Sequence, residues 1–520
     1  MSRPPRAPWR RLLPILALAA ATAAVALPDP AAAQAERRDT LIVGTMWESL
    51  PLSMKPRRSR FFNESEILDT LIKLDYDMNL VPGLATTWER TSPTVWHLHL
   101  REGVTFHDGT PLDAAAVKNS LERVTALLPY AADLLNIARI DATRPLDLEI
   151  ETSEPFAALP NQLTDAITVV YAPGSFDAQG QFVTPVGTGP WRFVDYVKQD
   201  RTVVERFDGY WGNAPTLKKV IYRYIPDHNS RSLALETGEI DFATNLPPAD
   251  VERLEADPNF KVYTAPTAGL YYGAFNTVGD TPLADPRVRL ALNALVDRDI
   301  LVKGALDGIG APAYEFFAPQ FPWVPKGVEP YKVDPAEAAA LLTQAGYTKQ
   351  DGRWQRDGKP LTLRILSYSS RTEMSAITEA LAALLANAGI ASDVQLFTWE
   401  GMLDLVRRGD YDISVVFWTP EMTGHPDLHL KSQFHSKAEM NFQGWSNPAF
   451  DALVDEGRTL DPGAEWTATY REALEILQKD APILPLVHKV FVVASSDDVQ
   501  GYRIHPSAFF FDFKNVSKSE

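Results

Sequence analysis

Runs of apolar residues in this chain change spacing repeatedly, and each change predicts an element. Residues 41–44 (Leu-Ile-Val-Gly) form a short β-rich run, read as the first strand. Residues 65–74 read as a helix, with Asn63 or Ser65 as its N-cap. Trp96-His97-Leu98-His99-Leu100 alternates at period two, which predicts a half-buried strand with both histidines on one wet face. Arg101-Glu102-Gly103 and Asp108-Gly109 are turns, and Asp113 caps a predicted helix over 114–124. Strands follow at 146–151, 203–206 and 219–224, with a rigid turn at 185–190 and a short helix at 230–237.

The second half alternates more regularly. A strand over 271–276 is taken as the first crossing into a second lobe. Asp285-Pro286 opens a helix with Val288, Leu292 and Leu295 on one face, and Asp334-Pro335 opens another that ends at Gly346. Then come a strand at 361–368, a helix at 372–388 stopped by Gly389, a strand at 394–397, a helix at 401–408 and a strand at 411–417. Strands and helices alternating at this spacing predict an α/β lobe with right-handed crossovers. The strand-rich end, 483–513, is long enough to return to the first lobe. No internal repeat is visible.

Composition narrows the class. At 520 residues the chain is too long for one ordinary domain and predicts about three lobes or subdomains. With 45% hydrophobic and 22% charged residues it is globular. A formal charge of −17 argues against nucleic acid as a partner. The absence of cysteine excludes disulfides, thiolate metal sites and cysteine nucleophiles. Residues 1–35 read as an export signal: Arg3, Arg6, Arg10 and Arg11, then the uncharged stretch 12–27, then a small-residue run ending at Ala35. The alternative, a membrane anchor, is disfavoured because 16 residues containing Pro14 are short for a span of about 20. Arg10-Arg11 resembles a twin-arginine signal, but its neighbours fit that pattern poorly. Without a cysteine there is no site for a lipid anchor, so the expectation is a mature protein that is soluble outside the cytoplasm.

Catalytic motifs are missing. The chain has no H-E-x-x-H, G-x-S-x-G, Walker loop or dinucleotide fingerprint, and Gly308-Ile309-Gly310 is a lone fragment. His425, His429 and His435 lie close enough in sequence to raise a metal site, but Pro426-Asp427 suggests a loop entering a helix with Asp427 as cap. Surface or capping histidines are the plainer reading. Trp399 and Trp418 both read as strand ends, where open α/β sheets bind ligands, and Glu421 follows Trp418 by three residues. An aromatic wall with one carboxylate suits a cationic ligand group; two core tryptophans and a solvated glutamate are the alternative.

A series of blocks in order resembles the extracytoplasmic solute-binding proteins, family 5, of peptide and nickel ABC importers. The blocks are the hairpin 100–109, Gly187-Thr188-Gly189-Pro190-Trp191, Gly238-Glu239-Ile240-Asp241, Phe275-Asn276, Asp285-Pro286-Arg287-Val288-Arg289, Asp297-Arg298, and Asp334 to Ala338 through Ala345-Gly346-Tyr347. The resemblance runs from residue 41 to about 516. It implies an α/β, bilobal periplasmic-binding-protein-like fold (type II, cluster C), with residues 36–270 (including an extra subdomain) plus 490–520 as lobe I and 271–489 as lobe II. It implies hinge closure on a short peptide and delivery to an inner-membrane ABC permease by a monomer that needs no cofactor and is not an enzyme.

The resemblance also implies roles. Trp418 and Glu421 match a pocket tryptophan and an acid that pairs with a peptide ammonium, with Glu in place of the usual Asp. Trp399 matches a second pocket tryptophan. Met46 and Trp47 follow the first strand, where ligand contacts are common. Arg371 lies near a carboxylate-binding arginine of some members, and Tyr272 completes the ligand-binding set. The alternative is a nickel-chelate or other small solute, with His425 or His435 as the metal-side residue. A secreted hydrolase is the reading from another class, since carboxylate catalysis leaves no short motif. A receptor that docks to a chemosensor is a third.

Overall fold

The computed structural model of the chain describes residues 37–48, 61–63, 65–321, 324–369, 371–419, 423–507 and 511–519. Residues 1–35, predicted as an export signal, and Glu421 lie outside the described residues.

One sheet organises the molecule. Its order is Ala391–Phe397, Thr362–Tyr368, Ile413–Trp418, Phe260–Phe275, Ile483–Ser496, Phe242–Ala243, Thr40–Thr45, Lys219–Tyr224, Arg201–Arg206 and Trp191–Val197, with Ala311–Pro312 pairing beside the path. One end is parallel: Thr362–Tyr368 runs parallel to both Ala391–Phe397 and Ile413–Trp418. The other end holds Thr40–Thr45 parallel to Lys219–Tyr224 and Phe242–Ala243. The first four residues of Ile413–Trp418 are all buried, as expected for a strand covered on both faces.

Two long antiparallel strands join the ends. Residues 260–266 pair with 490–496, and 270–274 pair with 483–488. Between them the register slips, so residues 267–269 face Lys489 alone; Thr267 Oγ1 bridges the gap by donating to Lys489 O at 2.9 Å. The predicted strand at 271–276 is thus only the second half of a 16-residue strand. Pro266 and Gly269 hid the join, since both read locally as breakers. Residue 269 has little room for a side chain: a Cβ there would lie 2.7 Å from the Phe417 ring and 3.1 Å from Lys489 Cβ.

An antiparallel four-stranded sheet, ordered Ala85–Ser92, Val95–Leu100, Asp147–Thr152 and Ile137–Arg144, forms a subdomain with its own core under helix Ala114–Leu127. Asp113 caps that helix, accepting from Ala116 N at 2.8 Å. Asp285 and Asp334 cap the helices Pro286–Leu295 and Pro335–Gln344, each with proline at the first turn. Gly389, at φ 93°, ends Thr372–Ala388.

Three expectations fail. Residues 65–71 form turns, followed by strand Ile72–Leu74, and not a helix. Every residue from 65 to 71 is buried, and Glu66 sits at φ 52°, which no helix allows. Trp399 does not end a strand: the strand stops at Phe397, and Trp399 opens helix Trp399–Arg407 under a Thr398 cap. Asp427 makes no cap bond; its carboxylate is drawn to Arg458, whose Nε is 3.1 Å away.

Candidate functional site

The two long strands bring chemistry to their junction. In the 14 residues Ile483–Ser496, the burial pattern opens only at Lys489, Val490 and the last residue. Lys489 Nζ lies 3.3 Å from Glu373 Oε1. Glu373 belongs to the first turn of helix Thr372–Ala388, where the helix dipole favours an acid. Tyr271 Oη donates to the same oxygen at 2.8 Å, and Arg371 Nη1 stands 3.9 Å away. Burial alone would raise the Glu373 carboxyl, but Lys489 and then Arg371 hold it down to about 2. Burial also pushes the Lys489 ammonium below the usual lysine range, against the pull of Glu373. Among the described residues, two cations here share one carboxylate, and the group carries net positive charge.

Aromatic rings cover this group. The Arg371 guanidinium lies 4.5 Å from the Phe417 ring centroid and 5.6 Å from that of Trp47; Lys489 Nζ is 5.3 Å from Phe417. Trp47 is 47% exposed, and Met46 beside it is half-buried. Both follow strand Thr40–Thr45, so Arg371 and Trp47 meet from opposite ends of the sheet.

Trp418 ends its strand as expected. Its indole N–H donates to His429 Nδ1 at 3.0 Å, which requires the proton of that imidazole on Nε2, and Nε2 in turn donates to Thr419 O at 2.6 Å. Burial lowers His429 to about 4, so the ring is neutral. Trp399 is half-buried, edge-on to Tyr368 at 5.2 Å.

Other members of the sequence-derived set do not join this group. Tyr272 is 4% exposed, and its hydroxyl donates to Gln433 Oε1 at 3.0 Å. Successive strand residues point to opposite faces, so its neighbour Tyr271 takes the place expected of Tyr272. His425 and His435 are not a metal pair. His425 accepts from Trp466 Nε1 at 3.1 Å, and burial with the nearby Arg458 charge takes it down to about 3. His435 lies 3.4 Å from Asp455 Oδ2, on a different helix. Among the described residues no group of three or more His, Asp or Glu is arranged to hold a metal ion. His97 and His99 lie on the wet strand face as predicted, with His99 Nδ1 3.0 Å from Asp147 Oδ1. A shallow depression between helix Ala114–Leu127 and residues 171–177 contains none of these side chains. Lys489, Glu373, Tyr271 and Phe417 were missed by sequence reasoning; the Arg371–Glu373 pair at a helix start was the one local signal.

A family model for the bacterial extracellular solute-binding proteins, family 5 (middle region), matches residues 79–441. The chain belongs to that family. The glutathione-binding protein GsiB of Salmonella paratyphi A is 30% identical over 464 residues, covering 85% of this chain and 87% of that protein. GsiB of Escherichia coli K12 is 29% identical over 457 residues, covering 85% and 86%. Among solved structures, NikA from Brucella suis in complex with Fe(III)-EDTA has a TM-score of 0.85 at 24% identity, covering 92% of this chain and 100% of that one. An ABC transporter substrate-binding protein from Sinorhizobium meliloti has 0.76 at 28% identity, with coverage of 92% and 100%. AppA from Bacillus subtilis, an oligopeptide-binding protein in complex with a nonapeptide, has 0.76 at 21%, covering 92% and 99%. The expected family and bilobal α/β fold are both found. No described helix is long and apolar enough to cross a membrane.

Proposed function

We propose that this solute-binding protein captures short peptides between its lobes and delivers them to an ABC permease. Residues 36–270 with 490–520 would move against 271–489, bending where the ladder slips between Pro266 and Leu270. The leader, residues 1–35, would be removed on export, and the monomer would work in the periplasm.

The observation that carries this reading is the cation excess at the lobe junction. Arg371 and Lys489 share Glu373 beneath Phe417 and beside Trp47. A peptide carboxylate entering there meets a guanidinium able to bind it in bidentate fashion. Glu421, three residues past Trp418, supplies the complementary charge for the peptide ammonium. Both pairs gain strength as closure dries the cleft, although desolvation offsets part of that gain. Relatives support the class: GsiB is named for glutathione, and AppA was solved with a nonapeptide.

The test is calorimetric titration with peptides free at both ends, N-acetylated, or C-amidated. Glu421→Ala is expected to weaken free-amine peptides far more than N-acetylated ones. Arg371→Ala should weaken free acids far more than amides. Equal losses across the blocked and unblocked peptides would overturn the two assignments.

A second reading is an anionic metal chelate. Chelator carboxylates suit the same two cations, and the NikA of Brucella suis was solved with Fe(III)-EDTA. Native mass spectrometry before and after EDTA treatment separates the readings: a metal-containing adduct lost on treatment selects the chelate, a metal-free peptide mass the first.

A further inference from the structure

The three parallel strands Lys219–Tyr224, Thr40–Thr45 and Phe242–Ala243 finish at a common edge. Carboxyl ends of parallel strands are where open α/β sheets place their ligand crevices. Buried Arg231 ties the two flanking exits together. Its guanidinium donates to Ile225 O at 2.6 Å and Pro226 O at 3.0 Å on one side, and to Thr244 O at 2.9 Å and Asn245 O at 2.7 Å on the other. The middle exit is Met46-Trp47-Glu48. Thr45 Oγ1 lies 3.0 Å from Trp47 O. On the far side of Trp47 an anchor is provided by a side chain: Glu48 Oε1 accepts from Tyr196 Oη and from Gln199 N, each at 2.6 Å.

Tyr196 and Gln199 belong to the hairpin of Trp191–Val197 and Arg201–Arg206, at the margin of the sheet. A bulge sets the aim of Tyr196. Phe193 opposes Val204 and Asp195 opposes Val203, so Val194 is an extra residue; beyond it Tyr196 opposes Thr202. Val204 and Thr202 are two apart and share a face, so Phe193 and Tyr196, opposite them, share one too. Without the extra residue Tyr196 would point with Arg192 to the other side. The bulge therefore turns this tyrosine toward Glu48, as bulges beside sites re-aim single side chains. Gln199 adopts φ 58°, uncommon for a residue with a side chain, and its N–H meets the same carboxylate.

We propose that this hairpin is a positioning element of the solute site: Tyr196, acting through Glu48, holds Trp47 against Arg371. The Trp47 ring lies 5.6 Å from that guanidinium and is nearly half exposed, so its place depends on how its own backbone is held. Tyr196 acts on Glu48 and not on the solute; it is a positioning residue. The inference rests on the role proposed above for Arg371 as the receiver of a solute carboxylate.

Tyr196→Phe removes the hydroxyl and keeps the ring. In protein carrying 5-fluorotryptophan, Trp47→Phe identifies the Trp47 fluorine signal, and no solute is needed. Y196F should shift or broaden that signal; an unmoved signal would overturn the proposal. Calorimetric titration with trialanine is the second readout. Y196F should weaken trialanine about fivefold, the size of one ordinary hydrogen bond. In a Trp47→Ala background the same substitution should cost less than about twofold, because the ring through which it acts is gone. No loss, or equal losses in the two backgrounds, would overturn the action through Trp47. If trialanine does not bind the unsubstituted protein, or if Arg371→Ala weakens free acids and amides alike, the peptide reading fails, and the fluorine signal alone decides for or against the Tyr196–Glu48 clasp. Should Y196F fail to fold, Glu48→Ala, which opens the clasp from its other side, is judged by the same signal, with a shift in support and no shift against.

Discussion

At the residue scale, charge balance around single side chains explains most of the site. Glu373 serves two cations and a tyrosine hydroxyl at once. Glu373→Gln leaves Lys489 and Arg371 repelling each other in a half-buried place, and we expect a loss of about 1–3 kcal/mol, below the cost of breaking a fully buried pair, read from urea unfolding. Its carboxyl falls from 4.5 to about 2 in the folded protein, so its contribution is complete above pH 4.5 and is lost as pH drops toward 2. His429 acts at higher pH. Its folded value is about 4 against 6.5; the unfolded chain takes up the proton first, and stability falls as pH drops from 6.5 toward 4. His429→Gln should flatten that part of a plot of unfolding midpoint against pH. It should also shift the Trp418 indole N–H resonance, whose acceptor is His429 Nδ1. Trp418 could be singled out from sequence because it ends an apolar run before a polar loop. Lys489 could not, since its partner Glu373 stands 116 residues away.

At the scale of elements, most caps were easy to read and the two long paired strands were not. Asp113, Asp285 and Asp334 each precede a helix that they cap. These are local events, settled within four residues. The supposed helix at 65–74 failed because its burial is set by the surrounding chain: Glu66 lies 3.2 Å from Lys514 Nζ, near the far end of the sequence. The strand Phe260–Phe275 looked like two pieces, because an irregular pairing reads as a turn when the partner strand is out of sight. Gly269→Ala tests that junction. The added methyl meets the Phe417 ring and Lys489 Cβ, and overpacking should cost about 1–3 kcal/mol, measured by urea unfolding of the solute-free protein.

At the scale of the whole molecule, function is an equilibrium between lobe arrangements. A solute shifts it only by binding one arrangement better than the other. Addition of a bound peptide should reduce the radius of gyration in solution scattering, and at 100 times its dissociation constant it should stabilise the fold by about 2.7 kcal/mol, seen as a raised melting temperature. Scattering curves that superimpose with and without such a peptide would end the hinge proposal. The sequence by itself determined the helices opened by Asp113, Asp285 and Asp334 and the one stopped by Gly389, the strands near 362–368 and 413–418, the family and the wet histidine face, because each follows from contacts between near neighbours or from motifs in fixed order. Only the tertiary structure decided that Tyr271 and not Tyr272 meets Glu373, that Arg371, Lys489 and Trp47 converge, that His425 and His435 are separately engaged, and that Tyr196 reaches Glu48. Those outcomes depend on strand register and on long-range approach, where a shift of one residue reverses which side chain faces the cleft.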